Sequence, residues 1–192
     1  MRLRESCLEY LLAWEPRQRV RSESERWTSF FSAANTEDRQ RFLICERTDG
    51  RIVGYVGLND IRRGVMQSCT TGYWIAQQFA NRGYMTEGLF LALRFAFGRL
   101  DLHRVEAGVQ PHNTPSLAVV RKLGFRHEGT ALRLLEIDGR WRDHERWALT
   151  REEFDPAQLG RVRPLTPEPS PPPPPKPAPR AKIARRSRAA DA

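Results

Sequence analysis

The sequence predicts an α/β fold built on one mixed sheet with helices on both faces, and three features predict it. Two pairs of β-rich runs each surround an Asp-Gly dipeptide, Asp49-Gly50 and Asp138-Gly139, residues that supply the positive φ values of a tight hairpin turn. One long segment keeps an unbroken helical rhythm. Between and after these, the chain alternates strand, helix, strand, helix, the pattern of a crossover that returns to the same sheet.

Taken in order, residues 4 to 13 read as a short helix that must stop before Pro16. Ser24 can cap a second helix running to about Asn35, with Trp27, Phe30 and Phe31 as its apolar stripe. The period then changes to that of strands in the run Arg41 to Ile61, folded at Asp49-Gly50, and a third extended run spans Ser68 to Ala76. From Met85 to Leu100 the residues Met85, Gly88, Leu89, Ala92, Leu93, Ala96, Phe97 and Leu100 keep to one helix face over four turns. Val105, Ala107 and Val109 then alternate with Glu106 and Gly108 as a strand. Thr114-Pro115 is a good N-cap and first-turn pair for a helix carrying Leu117, Val120 and Leu123, which Gly124 ends. Two last strands flank Asp138-Gly139, and Thr150 to Phe154 resembles a capping box opening a short final helix.

Charge divides the chain. The 192 residues carry a formal charge of +9, yet residues 161–192 alone hold eight basic and two acidic side chains and ten of the fourteen prolines. Such a segment cannot bury enough apolar surface to offset the entropy of ordering it, so it reads as a disordered, Pro-rich basic tail (161–192) behind a folded unit of residues 1–160. That unit is only mildly basic, which excludes a uniformly cationic nucleic-acid-binding domain. Cys7, Cys45 and Cys69 are widely spaced with no His cluster beside them, which points away from a structural zinc site and toward a reduced, cytoplasmic protein. The most apolar run, Gly88 to Phe97, is too short to span a bilayer and contains Arg94. No secretory signal pattern opens the chain.

Between the third strand and the long helix lies QQFANRGYMTEG. A loop before a helix N-terminus offers free backbone N–H groups and the positive end of the helix dipole to an anion. Asn81-Arg82-Gly83-Tyr84 could wrap a phosphate in this way, although one Gly and one Arg before a helix also describe an ordinary turn.

The strings GYWIAQQFANRGYMTEGL, LHRVEAGVQPHNTPSLAVVRKLGFRHEG and IDGRWRDHERWALT, in this order, change the reading. Over about Trp14 to Phe154 the chain resembles the GNAT superfamily of N-acetyltransferases, and within it the RimJ/RimL type that modifies the N-terminal amine of ribosomal proteins. The resemblance implies a mostly antiparallel GNAT sheet, here expected to lack the family's first strand, and acetyl-CoA as the donor with no metal. It sets the pyrophosphate loop on Ala80 to Met85, where only Gly83 matches the family pattern, and makes Asn81, Arg82, Gly83, Tyr84, Met85, Thr86 and Glu87 the binding residues. It implies that a backbone N–H near Ile75 or Ala76 polarises the thioester carbonyl, that Asn113 contacts the pantetheine arm, and that Ser116 lies close to the CoA sulfur. Many relatives carry a Tyr seven residues after that Asn as the acid for the leaving thiolate. Here the position is Val120, so Ser116 is the expected donor, directly or through water.

For the proton of the attacking amine, Glu106, Glu136, His112 and Asp143 are all candidates and none stands out. Glu106 beside Arg104 also reads as an ion-pair partner, and Asp143-His144 as a charged network bracing the acceptor groove. An α-amino group, with a pKa of about 7.7–8.0, is partly neutral near pH 7, whereas a Lys side chain at about 10.4 is not. A site without a strong base therefore suits a protein N-terminus. The alternatives are a small amine such as an amino sugar, antibiotic or polyamine, or a catalytically silent CoA-fold binding module. The basic tail is either functionally silent or a diffuse, salt-sensitive tether to RNA, the ribosome or an acidic partner.

Overall fold

The computed structural model describes Leu3 and residues 6–14 and 35–157. The expected helix from Ser24 to about Asn35 lies outside these residues except for Asn35 itself, which is in a strand, and the tail 161–192 lies outside them too. The first helix, α1, is Leu8–Leu12. Among the described residues seven strands form one sheet in the order β1-β2-β3-β4-β5-β7-β6: Asn35–Thr36, Arg39–Cys45, Ile52–Arg62, Ser68–Ile75, Arg104–Val109, Arg126–Ile137 and Arg140–Thr150 are β1 to β7. Only β4 and β5 run parallel; every other neighbouring pair is antiparallel. The mixed, mostly antiparallel sheet is therefore as expected. Among the described residues no strand precedes β1, and this two-residue strand occupies the edge beside β2.

Two helices connect the parallel region: α2, Tyr84–Arg94, between β4 and β5, and α3, Thr114–Lys122, between β5 and β6. Both crossovers step in the same direction along the sheet, so right-handed connections lay both helices on one face. Leu89, Phe90 and Leu93 of α2 and Val120 of α3 are fully buried against a core that includes Val53, Val56, Leu58, Val105 and Leu149. Each such side chain contributes roughly 1.5–3 kcal/mol by leaving water. Val120 is thus a packing residue of the core.

Four details depart from the sequence reading. The rhythm from Met85 to Leu100 is not one α-helix: after Arg94 the chain widens into a π-turn, Phe95–Arg99, closed by Leu100 N–H to the Phe95 carbonyl at 3.0 Å. The widened turn lets Phe95 meet Phe42 edge-on, with centroids 5.1 Å apart, while Phe97 packs on Phe154 at 5.2 Å. Helix α3 is capped by Asn113 in place of Thr114, its side chain accepting the Ser116 N–H at 3.2 Å. At the first hairpin only Gly50 has positive φ, because the loop is longer than two residues and closes through Gly50 N–H to the Glu46 carbonyl. Among the described residues beyond Thr150 there are turns and no helix. Glu153 does reach back to the Thr150 N–H at 3.0 Å, and Phe154 anchors the turn against Phe90 and Phe97.

Candidate active site

The parallel pairing of β4 with β5 stops early. It runs from Ser68↔Arg104 to Thr71↔Ala107, yet β4 continues to Ile75 and β5 to Val109. The two strands therefore part, leaving backbone groups in the gap without a strand partner. The phase of the bonding identifies those groups. Ala76 N–H donates to the Val53 carbonyl of β3 at 2.9 Å, whereas on the other side Arg104 N–H donates to the Gln67 carbonyl at 3.1 Å. Because bonding direction alternates along a strand, the odd-numbered residues of β4 face β5, so the amides of Tyr73 and Ile75 point into the gap. Of the two residues expected to polarise a thioester carbonyl, Ile75 is available. Ala76 is not, since its N–H is committed to β3.

One end of α2 opens beside this gap. Gly83 caps the helix with φ +84 and Asn81 has φ +60. The first bond of this turn is Glu87 N–H to the Gly83 carbonyl at 3.0 Å. The amides of Tyr84, Met85 and Thr86 precede it and have no intrahelical acceptor, the arrangement that receives a phosphate. Of the side chains, Met85 and Thr86 are buried and serve packing. The Arg82 guanidinium lies 5.9 Å from the centroid of Phe79, and Arg51 of the first hairpin stands 5.1 Å from the same ring. Tyr84 Oη donates to Glu46 Oε1 at 2.6 Å, and Glu46 also pairs with Arg51. The Tyr84 bond first, and Arg51 second, hold the Glu46 carboxyl below the usual carboxylate range.

The N-terminus of α3 comes to the same gap. Asn113 is turned inward as the cap, and Ser116 Oγ lies 2.7 Å from the Tyr73 hydroxyl. Burial pushes the Tyr73 phenol up to about 12, an effect the Ser116 bond partly offsets. Tyr73 was not among the residues expected from the sequence. It is separated from Ser116 by 43 positions, and only the alternation of β4, which puts it on the same face as Thr71, could have hinted at it.

The candidate bases are spread out. Glu106 is held by Arg104 Nε at 2.7 Å and by Arg146 at 2.9 Å. Burial pulls its pKa up, but the two arginines more than offset this and leave it lowered. Glu106 is an ion-pair partner in a chain of charges that continues from Arg104 to Glu128 and Arg126. Glu136 is exposed on β6. Pro111, His112, Trp141, Arg142 and Asp143 line a groove of about 250 Å³. In it Trp141 is 63% exposed, His112 stacks on Trp14 at 5.3 Å, and Asp143 accepts the Arg133 N–H at 2.7 Å. Behind the groove His144 is only 3% exposed. Its Nδ1 lies 3.0 Å from the Arg142 carbonyl, so in the neutral ring this nitrogen carries the proton and Nε2 the lone pair. Burial, the largest effect, lowers its pKa. Helix α1 joins this end of the sheet through Gln110 Nε2, which donates to the Ala13 carbonyl at 3.1 Å.

A splayed parallel strand pair, a left-handed glycine opening a helix, and a hydroxyl pair between them are what a transferase with a phosphate-bearing donor would use. The Acetyltransferase (GNAT) domain family model matches residues 4–126, and the chain belongs to this family. It is an acetyl-CoA-dependent N-acetyltransferase. It is 33% identical over 157 residues to the [Ribosomal protein uS5]-alanine N-acetyltransferase of Escherichia coli, covering 78% of this chain and 79% of that protein. It is 36% identical over 126 residues to the probable N-acetyltransferase YjcK of Bacillus subtilis, covering 66% and 70%. Among solved structures it superposes on Mycobacterium smegmatis RimJ in complex with CoA-disulfide with a TM-score of 0.76, at 32% identity and over 84% of this chain and 81% of that one. Among the described residues no group of His, Cys, Asp or Glu could hold a metal ion, and no helix is long and apolar enough to cross a membrane.

Proposed function

We propose that this enzyme acetylates the N-terminal α-amine of a protein, with a ribosomal protein as the first candidate, in the cytoplasm. The observation that carries the reading is the likeness to the uS5-alanine N-acetyltransferase over four fifths of that protein. The groove supports it. Its single carboxylate, Asp143, is already engaged by a backbone N–H, and Arg142 stands beside it. Among the described residues that line the groove, a polycation such as spermidine would meet a guanidinium and one shared carboxylate, a poor match. Glu106 is held by two arginines, so this carboxylate is a poor base for deprotonating a Lys side chain.

In this reading the amides of Tyr84, Met85 and Thr86, with Arg82 and Asn81, hold the pyrophosphate. Asn113 borders the pantetheine arm, the Ile75 amide polarises the thioester carbonyl, and Ser116 faces the sulfur. The test is a panel of amines with labelled acetyl-CoA. Peptides beginning with Ala should be acetylated at the α-amine while spermidine is not turned over. Turnover of spermidine with no peptide product overturns the reading.

A further inference from the structure

The contact between Tyr73 and Ser116 carries an inference that rests on the reading of Ser116 as the residue facing the CoA sulfur. We propose that Tyr73 is a positioning residue that donates its phenol proton to Ser116 Oγ, so that the serine's own proton is aimed into the gap between β4 and β5 at the departing thiolate.

The Oη–Oγ separation is 2.7 Å, and either oxygen can be the donor by distance alone. Chemistry chooses between them. A phenol is a stronger acid than an alkanol and a weaker acceptor, because its lone pair is delocalised into the ring. The alternative direction would also require the phenol proton to find another acceptor, and the available one, the Ser116 carbonyl, is 3.4 Å away. With Tyr73 donating, the serine oxygen keeps one hydrogen, and that hydrogen cannot point back at Tyr73. Hydrogen bonds in a chain polarise one another, so the serine O–H becomes a better donor than it would be alone. Burial keeps the phenol protonated across the working pH range. The ring is anchored in β4, whose neighbouring residues Thr71 and Cys69 are buried, so the hydroxyl position is set by the sheet.

The balance of the step is simple. The amine nitrogen attacks the acetyl carbon, the C–N bond forms and the C–S bond breaks, and sulfur leaves with the bonding pair. The nitrogen loses its extra proton to water. Ser116 lends a hydrogen bond to the sulfur and keeps its proton, so Tyr73 is not deprotonated. The leaving group is thus stabilised by a hydrogen bond prepared from β4, where Tyr73 stands, and not from the α3 position that Val120 fills.

Tyr73→Phe keeps the ring and removes only the hydroxyl. It should lower kcat roughly five- to tenfold, the worth of one ordinary hydrogen bond, with KM for acetyl-CoA unchanged. In a Ser116→Ala background the same change should have no further effect; equal losses in both backgrounds mean a purely packing role and overturn the proposal. A second readout needs no acceptor. The thiol of bound CoA, titrated by thiolate absorbance as a difference spectrum against CoA-free protein, should ionise at lower pH than free CoA in the wild type. The shift should shrink in Tyr73→Phe and vanish in Ser116→Ala. If Ser116→Ala leaves both kcat and the thiol titration untouched, the Ser116 reading itself fails. If it alters them and Tyr73→Phe does not, only the role of Tyr73 fails.

Discussion

Tyr84 Oη donates to Glu46 Oε1 at 2.6 Å, tying the first residue of α2 to the residue that follows β2. The bond crosses from one hairpin to the loop before α2, so it fixes the helix end whose amides we propose hold the phosphate. Glu46→Gln or Tyr84→Phe should raise the acetyl-CoA dissociation constant about three- to tenfold, the range of a single hydrogen bond to a charged group after screening at a surface. Calorimetry reads it directly. The sign of the pH effect follows from the shifts: the Glu46 carboxyl is lowered and the Tyr84 phenol raised by the same bond. The tie is therefore complete above the unfolded carboxylate value and lost as pH falls through the lower folded one. Between about pH 5 and 9 its contribution should be flat, and a steep change in that window would assign the pH dependence elsewhere.

Asn113 has two candidate duties, the cap of α3 and contact with the pantetheine arm, and two substitutions separate them. Asn113→Ala removes the acceptor of the Ser116 N–H and should cost about 1 kcal/mol, a fall of about 2–4 °C in Tm for a domain of this size. Asn113→Asp retains the acceptor and adds a charge favoured at a helix N-terminus, so Tm should recover. If acetyl-CoA binds Asn113→Asp more weakly than wild type despite the recovered Tm, the amide nitrogen is used by the ligand.

Much of this fold was legible because local chemistry and global topology agree. Asp138 and Gly139 have φ of 50 and 71, as an Asp-Gly hairpin turn predicts, and the strands on either side pair as read. What was not legible depends on residues far apart. Glu106 could be seen beside Arg104, but Arg146 is 40 positions away and arrives only when β7 pairs with β5. Tyr73 reads as one more aromatic in a strand until α3 is folded over it. The π-turn escaped for another reason: one extra residue in a turn leaves the apolar spacing from Met85 to Leu100 unchanged in the sequence. Between Asn113 and Thr114 the sequence holds two good capping residues side by side, and only the geometry of the loop after β5 decides.

Burial disfavours the charged form of His144 and lowers its pKa in the folded protein. A His in an unfolded chain titrates at about 6.5, so the unfolded state takes up a proton first as pH falls. Its contribution to stability is thus complete above that value and is lost as pH drops through the lowered folded value. Tm should decrease from pH 7 to 5, and the decrease should be smaller in His144→Asn, which has no proton to gain. Parallel Tm curves for the two proteins would remove His144 from this role.

The division of the chain near residue 160 is a proposal with a direct test. Residues 161–192 carry eight of the basic side chains, and the gap between β4 and β5 and the nucleotide loop are built from residues 73–116. A protein ending at residue 160 should bind acetyl-CoA and acetylate its peptide within twofold of the full chain. A larger loss would mean that the tail takes part in the site.

Gly83 unites backbone strain and ligand approach in one residue, and they can be taken apart. Its φ of +84 lies in the left-handed region, where a residue with a Cβ costs roughly 1–2 kcal/mol, and in the proposed binding mode its position as N-cap puts any side chain where the phosphate comes close. Gly83→Ala should lose both stability and ligand, with Tm lower by several degrees and the acetyl-CoA dissociation constant raised at least tenfold. Asn tolerates the left-handed region better than Ala, so Gly83→Asn should recover much of the Tm. It still carries a side chain, however, and affinity should not recover with stability. Recovery of both would mean that strain alone explains the glycine, and that the phosphate does not approach the backbone at this point.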